Sequence, residues 1–265
     1  MLTVSELTIY PVKSLGAINL SRMQIDDFGP ADDRRFVVVD RNGRFVTQRD
    51  YPRMTLVTLM QREGFLDFSA PDMPIFSLAL PRNVADERQE VVVWRDRIKA
   101  CDMGDAIAAW LSSYLGCEVR LYYMPNDTVR AVDPQYGRAG DRVSFADGFP
   151  VLLIGAASLD ELNRALPEPI TSLRFRPNIV VAGAEPYAED TWKRVRIGAI
   201  EFDVVKPCSR CVIPSIDPIS AEKQPVVAQT LARLRMRDRA IYFGQNLIPR
   251  GHGEIALGDE VRVVA

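Results

Sequence analysis

Histidine is almost missing from this 265-residue chain: His252 stands alone. One imidazole excludes a histidine-rich metal centre and an HExxH protease, and it confines any Ser-His-Asp triad to the surroundings of position 252. Cysteine is scarce too. Four thiols in 265 residues are too few for a disulfide scaffold, so each is a buried filler or a chemical group. Neither charge dominates, since Lys+Arg 33 against Asp+Glu 35 leaves a net −2. A protein that tracks phosphates along a polymer carries a basic surplus, so nucleic acid is not an expected partner. The apolar runs are short, as at Val151 to Ile154, far below the roughly 20 residues of a membrane helix, and no membrane association is expected. The opening MLTVSELTIYPVKSLG has no basic start, long apolar stretch or cleavage site, which makes the cytoplasm the expected location. No GxGxxG occurs, so direct nicotinamide binding has no support.

What is present is ordinary globular composition, with 47% hydrophobic and 26% charged residues, at a length that suits one large or two compact domains. The pattern is mainly β, with a few helices (α+β). Arg35–Asp40 and Arg44–Arg49 flank Asn42-Gly43, a strong hairpin signal because both central turn positions need positive φ. Further strand-like runs follow at 54–61, 65–69 and 90–100. Turn signals at this spacing predict a barrel or sandwich rather than βαβ units. One helix is predicted over 103–115, capped by Asp102 and ended by Gly116. A second is predicted to begin at Ser158, which with Glu161 reads as a capping box, and to stop at Pro167. The remainder is again β, at 178–182, 195–205 and 254–264.

The segment Lys206 to Pro218, KPCSRCVIPSIDP, carries the most chemistry. Its thiols at Cys208 and Cys211 fit inert burial, half a zinc site, a redox dithiol, an iron-sulfur pair, or one thiolate ligand with a spare neighbour. A four-cysteine zinc site would need Cys101 and Cys117, set about 20 Å apart by a helix rising roughly 1.5 Å per residue. A redox dithiol prefers a helix start, which Pro214 and Pro218 disfavour. A thiolate on a soft metal, with Arg210 adding positive charge, leaves the remaining ligands to a cofactor or to oxygen.

Seven segments in order bear on that choice: YPVKS at 10–14, DRRFVVVD at 33–40, ADGFPVLLI at 146–154, RFRPNIVVAG at 174–183, YAEDTW at 187–192, CSRC at 208–211 and FGQNL at 243–247. In these the chain closely resembles MOSC-domain proteins that carry an N-terminal MOSC β-barrel, in the branch of the amidoxime-reducing components. The resemblance implies two β-barrel domains, here 1–120 and 121–265, and molybdenum cofactor (Mo-molybdopterin) between them. By position it makes Cys211 the metal ligand and places Lys13, Ser14, Arg34, Arg176, Asn178, Ser209 and Arg210 around the cofactor. Asp147 falls near the metal as a candidate acid or substrate anchor, although an Asp-Gly turn accounts for it equally well. Cys208 is then structural, and Cys101 and Cys117 are core or surface thiols. Pro214 and Ile219-Ser220 depart from the family pattern, where Thr and Thr-Gly are usual.

The activity so implied is two-electron reduction of N-hydroxylated compounds: amidoximes, hydroxylamines or N-hydroxylated bases. Two rival readings are a sulfur carrier or cofactor sulfurase, with Cys211 bearing a persulfide, and a non-catalytic cofactor carrier. Some bacterial relatives end in a plant-type ferredoxin domain, whose cysteine signature is not found here. Electrons are therefore expected from a separate iron-sulfur or haem carrier and its reductase. The basic stretch 231–239 reads most simply as a solvated face and more sharply as a docking site for an acidic carrier.

Overall fold

The computed structural model describes residues 1–81 and 87–265. β-branched and aromatic residues put most of these into strands, and the largest sheet among them has nine. Its order is Val261–Val263, Arg194–Ile197, Ile200–Ser209, Ala240–Pro249, Val151–Gly155, Ile179–Ala182, Thr3–Ile9 and Ile18–Leu20, with Met236–Arg237 paired beside Ala240–Pro249. Within this sheet only Val151–Gly155 and Ile179–Ala182 run parallel, and helix Ala156–Arg164 lies in the crossover between them, as a parallel pair requires. Leu7, Leu153, Ile179, Val195, Phe202 and Leu247 form its core.

Elsewhere Phe36–Asp40, Val119–Tyr123, Asp96–Asp102 and Gln89–Val93 make a four-stranded sheet, and Thr58–Arg62, Phe65–Ser69 and Phe76–Ala79 a three-stranded one. Helix Asp105–Leu115 packs Ile107, Leu111 and Tyr114 onto Val38, Phe68 and Leu121 in a second core. The protein is thus β-rich with three α-helices among the described residues. The first 26 residues cross over to the second half. Thr3–Ile9 pairs with Ile179–Ala182, and Arg22–Asp26 pairs with Gly253–Ala256. A division at residue 120 is therefore one of sequence, while in space the N-terminal strands are part of the later sheets.

Several local expectations change. The run 90–100 is a hairpin of Gln89–Val93 and Asp96–Asp102 that turns at Trp94, whose φ is 57°. After Asn42-Gly43 the chain turns as expected, but Arg44 and Phe45 make isolated bridges rather than a strand. Ser158 is no cap: its helix starts at Ala156, and its hydroxyl donates to Glu189 at 2.8 Å. Asp102 instead accepts from the Gly104 amide ahead of a helix that begins at Asp105. Within 231–239 the chain forms the end of helix Pro225–Arg235, opened by its proline, whose fixed φ suits a first turn.

Gly244 binds two of these strands closely. Its φ is +78°, and a Cβ there would lie 2.7 Å from the Leu153 carbonyl oxygen and 2.6 Å from Ile154 Cγ2. Gly244→Ala should cost about 1–3 kcal/mol through this overlap, read as a lower thermal midpoint; an unchanged midpoint would show that the strands separate freely.

Candidate functional site

A cleft of about 810 Å³, its open mouth included, lies between the halves of the chain. All nine residues singled out from sequence line it: Lys13, Ser14, Arg34, Asp147, Arg176, Asn178, Ser209, Arg210 and Cys211. Thr47, Arg49, Phe149, Phe175, Cys208, Ile213 and Asn246 join them. The lining holds five cations, Lys13, Arg34, Arg49, Arg176 and Arg210, against one carboxylate, Asp147. So uneven a cleft favours an anionic occupant.

Buried Asp33 organises the deepest part. Its Oδ1 accepts from the Tyr10 amide at 2.8 Å, and its Oδ2 pairs with Arg34 Nη1 at 2.6 Å. The guanidinium carbons of Arg34 and Arg176 lie over the Tyr10 ring at 4.3 and 4.1 Å. Arg34 Nη2 donates to the Arg176 carbonyl at 2.9 Å, and Arg176 Nη1 to the Leu15 carbonyl at 2.7 Å. Burial and then the neighbouring Arg34 charge push Arg176 down to about 10. Among the described residues its Nη2 is buried without a hydrogen-bond partner, as is Nε of Arg210. Orphaned guanidinium N–H groups at a cationic cleft fit a phosphate-bearing group such as molybdopterin, which would satisfy both.

Lys13 is buried and donates to the Phe145 carbonyl at 2.8 Å and to Asp147 Oδ1 at 2.5 Å. Burial pushes the Lys13 ammonium below its ordinary range, and Asp147 opposes that shift. Asp147 is enclosed by protein at depth yet open to the cleft, its side chain 71% exposed. Enclosure works to raise its pKa, but Lys13 and the Trp94 N–H outweigh this and hold the carboxyl well below the usual carboxylate range. Lys13 and Trp94 thus favour the ionised form of Asp147.

The strand Ile200–Ser209 carries Pro207 between two register irregularities, where a proline disturbs no ladder. Beyond it the chain makes only a short 3-10 turn at Ile213–Ser215, since Pro214 and Pro218 prevent a helix. Cys211 is thereby left exposed at the cleft edge. Arg210 does not cover it: Nη1 points to Cys208 Sγ at 2.9 Å and Nη2 to the Phe175 carbonyl at 2.8 Å. The hydrogen bond of Arg210 is thus to Cys208, the neighbour of the expected ligand. Asn178 is mostly engaged, its Oδ1 accepting from the Leu152 amide at 3.1 Å and its Nδ2 donating to the Thr8 carbonyl at 3.1 Å. It ties strands together and retains one N–H for a ligand. Ser14 lines the wall with φ 68°, and Ser209 is exposed beside Cys208. Cys101 is buried and Cys117 half-buried.

Sequence reading missed Arg49, Trp94 and Arg130. A usable signal is conformational: Ser14, Arg34, Trp94 and Arg176 all have positive φ without being glycine, each at a cost on the order of 1–3 kcal/mol that gathers where function demands it. In the basic stretch, Arg235 is buried against Asp190 at 2.6 Å, and Arg237 reaches the same carboxylate at 3.4 Å. Arg235 is thus unavailable for docking, while Arg233 and Arg239 are exposed.

The MOSC N-terminal beta barrel domain matches residues 1–118 and the MOSC domain residues 140–262. The chain is 32% identical to mitochondrial amidoxime-reducing component 1 of Mus musculus over 279 residues, covering 98% of this chain and 81% of that protein. It is similarly 32% identical to component 1 of Homo sapiens, over 98% of this chain and 82% of that one, and 32% identical to component 2 of Rattus norvegicus, over 98% and 82%.

Pyrophosphate probes the orphaned guanidinium groups directly. At about 100 times its dissociation constant it should stabilise the cofactor-free protein by roughly 2.7 kcal/mol, measured as a rise in thermal midpoint, and Arg176→Met should remove most of that rise. A shift that survives the substitution would place the anion elsewhere.

Proposed function

The chain belongs to the MOSC-domain family of the amidoxime-reducing components, and on that premise we propose that it is a molybdenum cofactor-dependent reductase of N-hydroxylated compounds. The observation that carries this is the exposed Cys211 thiol at the edge of a cleft with five cations and two unsatisfied guanidinium nitrogens. Arg34, Arg176, Arg210, Lys13, Ser14 and Ser209 would hold the pterin and its phosphate, and Cys211 the metal. Bound there, the molybdenum centre would supply two-electron chemistry. With two protons, those electrons convert N–OH to N–H and water.

The protein's own residues bind and orient. Lys13 and the arginines would offset the negative charge of the cofactor's dithiolene and phosphate, and a soft thiolate suits molybdenum where a histidine-poor chain offers no imidazole. Asp147 stays ionised against Lys13, so it accepts hydrogen bonds from substrate, and the protons come from solvent through the open mouth. Electrons arrive from a separate iron-sulfur or haem carrier with its own reductase. Among the described residues no helix is long and apolar enough to cross a membrane.

Protein made in a host that synthesises the cofactor should contain about one molybdenum per chain and reduce benzamidoxime with reduced viologen. Cys211→Ser should lower turnover by more than the roughly 10–100-fold typical of outer-shell losses, since it removes a ligand itself; Cys208→Ser should be milder. Sulfane sulfur without molybdenum would favour the sulfur-carrier reading, and molybdenum without turnover the carrier reading.

A further inference from the structure

The turn that delivers Arg176 to the cleft also reaches the chain on both sides of Cys211. Arg174 ends the 3-10 turn Ser172–Arg174 and is buried, 5% exposed. It does not line the cleft. Its guanidinium instead enters the loop that follows the thiol: Nη2 donates to Asp217 Oδ2 at 2.8 Å and to Gln224 Oε1 at 2.6 Å, and Nη1 to the Pro214 carbonyl at 3.4 Å. Asp217 in turn shapes that loop, since its Oδ1 accepts from the amides of Ile219 at 2.7 Å and Ser220 at 3.2 Å. One buried cation thus gathers three parts of the loop.

On the other side of the thiol, Arg210 is held twice. Its amide donates to the Ile241 carbonyl at 2.7 Å and its Nη2 to the Phe175 carbonyl at 2.8 Å. Phe175 is buried and stacked on Phe243 at 4.2 Å between centroids, so its carbonyl is a fixed acceptor. Cys211 therefore lies between two ties to one turn: Phe175 holds the residue before it, and Arg174 holds Pro214 after it. Packing of the next side chain does not supply this restraint, because Val212 is 56% exposed. Arginine suits the position, since a single ammonium nitrogen would not span the acceptors that Nη1 and Nη2 reach separately.

We propose that Arg174 is a positioning residue for the Cys211 thiol, and that the turn from Arg174 to Arg176 ties the thiol loop to the cationic floor of the cleft. Arg176 meets the anionic end of the cofactor, and Arg174 sets where the thiol stands. The inference rests on Cys211 as the metal ligand, and so on the cofactor part of the reductase reading. Without Arg174, Asp217 and Gln224 lose their common partner, and the chain beyond Cys211 is free to draw the thiol off the cleft edge.

Cofactor retention tests this on the molybdenum-loaded protein, with the loss of molybdopterin after removal of free cofactor followed by pterin fluorescence. Arg174→Met should speed that loss about tenfold, the lower end for removing a residue that orients a metal ligand. It should add little in a Cys211→Ser background, because it acts through that thiol. Arg176→Met should speed the loss in both backgrounds. A second readout uses cofactor-free protein: trypsin should cut after Arg210 and Lys223 several-fold faster in Arg174→Met, with cleavage elsewhere unchanged. Where Arg174→Met folds too poorly to be loaded, Arg174→Lys takes its place in the same cycle, with a smaller effect of the same sign. No acceleration, equal acceleration in both backgrounds, or cleavage raised at every site alike would overturn the proposal. Failure of the reductase reading is distinct: viologen-driven turnover would be missing while the two substitutions stayed non-additive. A protein that takes up no molybdenum would overturn both.

Discussion

A surplus of buried positive charge governs this structure. Arg34 and Arg176 share the Tyr10 ring, but only Arg34 pairs with the buried carboxylate Asp33, so the two guanidinium groups are only partly neutralised. That arrangement costs stability on its own: burial first, and the Arg34 charge second, push the Arg176 guanidinium below the usual arginine range. The surrounding fold enforces it by backbone ties that ignore side-chain preference. Arg34 accepts from the Phe145 amide and donates its own amide to the Tyr10 carbonyl, both at 2.9 Å. Such ties hold charges where they repel each other, and an anion bound there offsets that repulsion.

The interleaving of the chain follows from the same requirement. Lys13 and Ser14 reach the cleft because Thr3–Ile9 inserts beside Ile179–Ala182. Arg176 comes from the turn just before that partner strand, and Cys208–Cys211 from the end of a strand further across the same sheet. A site shared by segments so far apart in sequence is rigid only if one sheet carries its edges. The bulges around Lys206–Ser209 then let the thiol loop leave the sheet without unpairing it.

This also marks where sequence reading succeeds and where it stops. The β-rich class was legible from alternation and turn chemistry, and the cleft residues from family motifs, because those motifs sit on strand ends that converge. Trp94 was hidden inside the run 90–100. Val91, Val93 and Ile98 alternate on both sides of it, and Trp94-Arg95 lacks the glycine or asparagine that usually announces a turn. Arg49 and Arg130 were two among 33 basic residues, distinguishable only once a partner is seen. Ser158 failed for a related reason: S-x-x-E marks a cap only if the serine faces the helix start, and here a buried glutamate claims its hydroxyl.

The division of labour inside the cleft can be argued from charge alone. Four cations other than Lys13 line it, and none of them is paired with Asp147 by hydrogen bond; Lys13 is. The Lys13 and Asp147 charges therefore cancel locally, which leaves Arg49 as the one further cation beside Trp94, while the other side of the cleft carries Arg34, Arg176 and Arg210. A polyanionic cofactor is drawn to the second region. A neutral substrate with donor groups meets less competition in the first.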